Sequence, residues 1–171
     1  MKNVSLVLAL VAVASFCSSA DAQIKRYKSK GVGTYNPFNA EYDTYGRSNF
    51  GFIVGEGTAI PIPTANPFVS NWVTNGEVKE TYIDGSEIFF TGGGTVEIIP
   101  LFGAWHTAVW TGEFVVTRGT GRFANAGPGS VNNKVVAVNL PFRLNPDGTP
   151  LPGDTWNFVF EVTGEIDLGG N

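Results

Sequence analysis

Apolar and polar residues alternate through much of the second half of the chain. In "TWNFVFEVTGEI", Trp156, Phe158, Phe160 and Val162 fall on one side, with Asn157, Val159, Glu161 and Thr163 on the other, the period of two that marks a half-buried strand. No long segment repeats apolar residues at the i, i+3, i+4 spacing of an amphipathic helix. The pattern predicts strands over Ser48–Val54, Phe68–Val73, Val78–Ile83, Glu87–Thr91, Thr95–Leu101, Trp105–Thr117, Val131–Leu140 and Trp156–Ile166. Turn pairs such as Asn75-Gly76, Asp84-Gly85 and Asp147-Gly148 separate several of them, because Asn, Asp and Gly accept positive φ. Pro61, Pro63 and Pro67 cannot donate to a ladder, so Ile60–Pro67 reads as a loop or edge segment. Pro146, Pro150 and Pro152 make Asn145–Asp154 a long loop. Gln23–Arg47, polar and rich in tyrosine, shows no clear period and is set apart as an N-terminal arm before a β domain over residues 48–171.

A sandwich and a barrel both bury one face of each strand. Closure also removes unpaired edges, an advantage for a chain without disulfides, so the expected fold is all-β, a single antiparallel eight-stranded β-barrel.

The first residues change the setting. Lys2, the apolar run Val4–Phe16 and the small residues ending in Ala20-Asp21-Ala22 form the pattern of a cleaved export signal over residues 1–22. The apolar run is well short of the roughly 20 residues that cross a bilayer, so no stable membrane anchor is expected. Phe16 before Cys17 argues against lipid attachment, because a lipid box places a small residue there. The expected destination is secreted or periplasmic. About 150 residues would remain, enough for one domain. They contain no cysteine, so neither disulfides nor a thiol nucleophile contributes. Lys25, Arg26, Lys28 and Lys30 crowd the start, whereas residues 31–171 hold 6 basic and 14 acidic residues. Such an acidic body speaks against nucleic acid as a partner.

The stretch "RGTGRFANAGPGS", Arg118 to Ser130, lies between two predicted strands. Gly119, Gly121, Gly127 and Gly129 are expected to supply positive φ or close backbone approach there, with Phe123 folded inward as a plug. "GTGRFANAG" resembles the Gly-Thr-Gly-(Lys/Arg)-Phe segment of dirigent proteins and, more loosely, the glycine-rich turn of allene oxide cyclases. It is also similar to a segment of small exported bacterial proteins thought to share their eight-stranded barrel. The resemblance covers residues 109–131. It implies a barrel and a tendency to form homo-oligomers, for which Trp72 and Trp105 are candidate contacts. Where dirigent proteins often continue Ala-Arg-Gly, Ala126 is followed here by Gly127 and Pro128, so no cavity-lining basic residue or catalytic role carries over.

Candidate chemistry is sparse. His106, Ala108, Trp110, Gly112, Phe114 and Val116 share the more apolar face of their strand. That places His106 at the mouth of a barrel cavity as a candidate proton-transfer group; the competing reading is a strand-end histidine bonded to a loop carbonyl. Counting from Phe50, Phe52 and Val54 puts Glu56 on their face, a desolvated candidate base, unless Gly55 and Gly57 swing it into water. Trp110, Phe114, Phe123, Trp156, Phe158 and Phe160 are the expected ligand-binding aromatics, with Ala108, Gly112 and Ala137 leaving space opposite them. One histidine and no cysteine after residue 22 leave no His/Cys zinc site. Nucleophile-elbow, phosphate-loop and dinucleotide motifs are also missing from the sequence, so no cofactor is expected. The functional expectation is a cofactor-free binding or scaffold module for a small apolar or phenolic ligand. The alternatives are a cyclase or isomerase using the same cavity and a structural surface protein.

Overall fold

The computed structural model describes residues 23–127 and 133–169; the export signal expected over 1–22 and the turn residue Gly129 lie outside them. The strands are β1 Ile24–Tyr35, β2 Glu41–Ser48, β3 Gly51–Pro63, β4 Val69–Thr74, β5 Val78–Tyr82, β6 Glu87–Phe102, β7 Trp105–Gly119, β8 Asn133–Asn139, β9 Phe142–Arg143 and β10 Trp156–Asp167. All pairings are antiparallel, and they join into one sheet containing a closed ring of eight strands.

The ring follows from local connections. From β1 to β8 each strand pairs with the next in sequence, except that β4 and β5 share one place between β3 and β6; β9 stands outside this order, on β7. β4 pairs Ala59–Pro63 of β3 and Gly93–Glu97 of β6, while β5 pairs Ile53–Glu56 and Glu87–Phe90. β8 then pairs β10, and β10 returns to β1 along their full lengths, from Ile24 opposite Asp167 to Tyr35 opposite Trp156. β3 loses β2 as a neighbour beyond Thr58, so Pro61 and Pro63 sit in an edge extension, as their missing donors require. The long loop before β10 is present, pinned by a bridge between Leu144 and Pro150.

Three strand assignments differ from expectation. The segment Gln23–Arg47 is not an arm outside the domain; it carries β1 and all but the last residue of β2, the first two strands of the ring, and β1 is the strand that closes it. Its inward positions, Tyr27, Ser29, Gly31, Gly33 and Tyr35, include two glycines and a serine, which hide the period of two. The two strands expected over Glu87–Thr91 and Thr95–Leu101 are one, β6, running through Gly92-Gly93-Gly94. β9 was not anticipated; two residues long, it pairs the start of β7.

Those glycines pack rather than break. At the crossing of β6 and β7, Gly94 lies opposite Gly112, and a Cβ on Gly112 would stand 2.4 Å from Gly93 O and 2.5 Å from the Trp72 ring. Trp72 is buried and donates from Nε1 to Thr111 O at 3.2 Å, which removes it as a surface oligomer contact. Gly112→Ala is therefore expected to overpack the interior and cost roughly 1–3 kcal/mol, read as a lower urea midpoint at unchanged slope.

The turn after β7 behaves as expected at two of its glycines. Gly121 adopts φ 58°, a conformation that favours glycine, and a Cβ on Gly119 would lie 2.2 Å from Phe123 O. Gly127 shows neither feature. Phe123 is buried, with its ring 4.8 Å from Tyr82 and 5.6 Å from Phe50. Arg122 ties the turn down by donating to Phe50 O at 2.7 Å and pairing with Asp84 at 3.3 Å.

Candidate functional site

Alternation along each strand decides what the ring encloses. On β7, Ala108, Trp110 and Val116 are buried, and on β10 the buried set is Trp156, Phe160, Val162 and Ile166. Trp110 is fixed at both ends. Its Nε1 donates to Asn139 Oδ1 at 2.7 Å, and its ring meets Tyr35 edge-on at 5.2 Å, so an indole that would otherwise bury an unpaired donor is satisfied.

Between these side chains lies a cavity of about 100 Å³ whose wall includes Tyr27, Tyr35, Trp72, Glu80, Phe90, Trp110, Phe114, Ala137, Phe158 and Phe160. Phe114 and Phe158 point inward yet stay only half-buried, so part of their surface faces open space inside the ring. Four of the expected aromatics, Trp110, Phe114, Phe158 and Phe160, line this cavity. Two do not. Phe123 closes the turn described above, and Trp156 stacks on Phe142 at 4.1 Å and 17°.

Neither expected proton-transfer residue belongs to the cavity wall. His106 lies on the expected face of β7, but its ring stacks on Phe142, and Nδ1 lies 2.9 Å from Ala104 O. A carbonyl only accepts, so Nδ1 carries the proton; this is the strand-end, loop-bonded histidine. Glu56 is on the outer face. The inward residues of β3 are Ile53, Gly55, Gly57 and Ala59, while Phe52, Val54 and Glu56 are exposed. Glu56 pairs with Lys79 at 2.8 Å in solvent. The counting was sound but the side was wrong, because both faces of β3 are apolar and hydropathy alone does not choose between them.

The cavity has an acid that the sequence reading did not single out. β5 reads Val78-Lys79-Glu80-Thr81-Tyr82, so Glu80 shares the inward face with Val78 and Tyr82, and alternation from Val78 would have found it. Its Oε2 accepts from the Tyr27 hydroxyl and, at 3.4 Å, from the Tyr82 hydroxyl. Oε1 accepts no hydrogen bond among the described residues. Burial pushes the Glu80 carboxyl up to about 7, against the two tyrosine hydrogen bonds that favour the ionised form. The neighbouring phenols respond in kind. Burial and the Glu80 charge raise Tyr27, Tyr42 and Tyr82, and burial alone pushes Tyr35 up to about 12. Lys79, next in sequence, turns outward to Glu56 and Glu87, leaving Glu80 without a cationic partner among the described residues. No three metal-ligating side chains converge among the described residues.

Comparison with protein-family models, with curated proteins and with solved structures returns no match.

Proposed function

We propose that this chain is an exported, cofactor-free binding protein. In this reading its closed ring is an eight-stranded barrel of the allene oxide cyclase and dirigent kind, and it takes a small apolar or phenolic molecule into its interior. The observation that carries the reading is the aromatic-walled cavity enclosed by the ring, with a single carboxyl set among tyrosine hydroxyls. Few polar groups in an apolar wall is the composition of small-molecule sites in general. At about 100 Å³ the space is below the roughly 150 Å³ of an engineered cavity that accepts benzene, so the ligand is no larger than one small ring or a short chain. Support for the barrel family is the "GTGRFANAG" turn, Gly119–Gly127. Support for export is the 1–22 pattern, with β1 starting two residues beyond Ala22; N-terminal sequencing of the exported protein should begin at Gln23.

Phenol titrated into the protein is expected to raise its melting temperature and to perturb tryptophan fluorescence through Trp110. Ala137→Leu, which fills the cavity beside Trp110 and Phe160, should abolish both effects. Wild-type protein insensitive to phenol and benzene alike would remove the reading.

A second reading is favoured by one observation. A carboxyl that titrates near neutrality inside a cavity is suited to moving a proton, so a cyclase or isomerase on this barrel would use Glu80 rather than His106 or Glu56. With a turnover in hand, Glu80→Gln should abolish it while His106→Ala and Glu56→Gln leave it within about twofold. The reverse pattern would reject the assignment.

A further inference from the structure

A purely apolar ligand leaves the interior of the ring with an unexplained cost, the desolvation of Glu80. No cation among the described residues pairs with it. Two tyrosine hydroxyls reach Oε2 of this half-buried side chain, Oε1 accepts no hydrogen bond among the described residues, and Lys79 pairs outward with Glu56 and Glu87. Tyr27 and Tyr82 meet the carboxyl through their hydroxyls, with the Phe90 ring 6.1 Å from that of Tyr27, and a site walled by aromatic rings suits an organic cation. We infer that the cavity ligand is a small organic cation, an ammonium carrying one compact apolar group, with its charge against Glu80 and its carbon chain among Trp110, Phe114 and Phe158.

This inference rests on the cavity reading above and sharpens its ligand class. A neutral molecule of the same shape gains the apolar contacts but leaves the ionised carboxylate unpaired. An ammonium gains both and releases the proton that Glu80 holds near neutrality. The charged and titratable groups facing Glu80 are Tyr27, Tyr42 and Tyr82, all of them raised and uncharged throughout the neutral range, so the pH dependence of binding belongs to Glu80.

Calorimetry with n-butylammonium chloride and n-butanol provides the test. At pH 8 the ammonium is expected to bind wild type at least tenfold more tightly than the alcohol. At pH 5.5, where Glu80 is mostly protonated, the preference should fall below threefold, and Glu80→Gln should remove it at both pH values while still binding the alcohol. Equal or tighter binding of butanol at pH 8, or a preference that survives in Glu80→Gln, overturns the inference and leaves the cavity reading standing. No binding of either compound removes both.

A different observation carries a second inference. On the outer face, Val54, Tyr45, Val32, Val159 and Val138 lie directly opposite one another across five adjacent strands, and all are exposed, Tyr45 by 58 %. The row meets Thr81 beyond Val54, and beyond Val138 it passes Val109 to reach Glu97. It is therefore a patch on one side rather than a belt facing lipid. Asp43 and Arg47 flank Tyr45 on the same face of β2, and neither has an ion-pair partner among the described residues. The geometry points to a second copy as the occupant. A two-fold axis crossing β2 at Tyr45 lays apolar row on apolar row and sets each Arg47 over the partner's Asp43, a self-complementary arrangement. Light scattering at 50 μM should give a dimer for wild type, monomers for Tyr45→Glu and Asp43→Arg, and recovery of the dimer in Asp43→Arg/Arg47→Asp. A wild-type monomer, binding to vesicles instead of self-association, or failure of the charge swap to recover the dimer rejects this partner.

Discussion

Trp110→Ala should lower the unfolding free energy by about 3–5 kcal/mol, the range for deleting a buried tryptophan. Three losses combine at this site. The indole gives up its edge-on contact with Tyr35 and its packing on Trp72, 6.1 Å away. Asn139 Oδ1, on a side chain almost fully buried, loses its donor from Nε1, leaving an acceptor whose desolvation costs about 1–3 kcal/mol. The existing cavity also widens instead of collapsing, since the ring strands that frame it are held by ladder pairing on both sides. Trp110→Phe separates these effects, because it retains most of the ring and forfeits the hydrogen bond, and should cost about half as much. Free indole should restore part of the stability of Trp110→Ala by binding the folded form and leave Trp110→Phe unchanged. Urea denaturation of the three proteins with and without indole reads all of this. A loss below 1 kcal/mol in Trp110→Ala would mean that the indole does not hold the interior together.

Trp110 was visible in the sequence for the same reason that β7 and β10 were. On β10, Trp156, Phe158 and Phe160 recur at every second position, and on β7 the same period carries Ala108, Trp110, Gly112, Phe114 and Val116, so inward positions follow the alternation. β1 conceals its period. Gly31 and Gly33 face the interior so that Phe160 and Phe158, their partners on β10, can lie over them, and an aromatic ring on one strand that needs a bare backbone on the next leaves no hydrophobic signal on the second. The glycines of β6 misled in the same way, reading as a break between two strands when they are the seam that lets β6 and Trp72 approach β7. These are pairings across the ring, set by register rather than by local preference.

The site itself was half legible for a related reason. Four aromatic wall residues could be read from the strands that carry them, but the acid could not be placed without knowing which side of β3 and β5 faces in. Phe52 and Val54 are exposed at 61 % and 50 %, so the outer face of β3 is as apolar as its inner one, and Glu56 was read from the wrong side. Of these outer residues, Val54 belongs to the apolar row on the outside of the ring. β3 thus carries two apolar faces, and period-two reasoning distinguishes faces only when one of them is polar.

Glu80→Gln should make the protein more stable at pH 8 and leave it unchanged at pH 4. The folded-state carboxyl titrates at about 7, above its ordinary 4.5, because burial disfavours the charge. A group raised in this way contributes stability that is fully present below about pH 4.5 and is lost as pH rises through 7; above that the penalty is constant. The shift corresponds to at most about 3 kcal/mol, less whatever water in the cavity screens. Gln is nearly isosteric, and its amide oxygen still accepts from Tyr27 and Tyr82, so the substitution removes the charge without opening a void. Glu77, Asp84, Asp147 and Glu161 have carboxyls held below their usual range, chiefly by hydrogen bonds, and they shape acid unfolding in both proteins alike. The difference between wild type and variant therefore isolates Glu80. Melting curves from pH 4 to pH 9 should coincide at the acid end, separate between pH 5 and 7, and run parallel above it, with the variant higher by roughly 5–8 °C for a domain of this size. Curves that coincide throughout would mean the carboxylate is solvated. A variant less stable at pH 8 would mean that the tyrosine hydroxyls outweigh the desolvation, and the cavity would then hold a satisfied anion rather than one waiting for a cation.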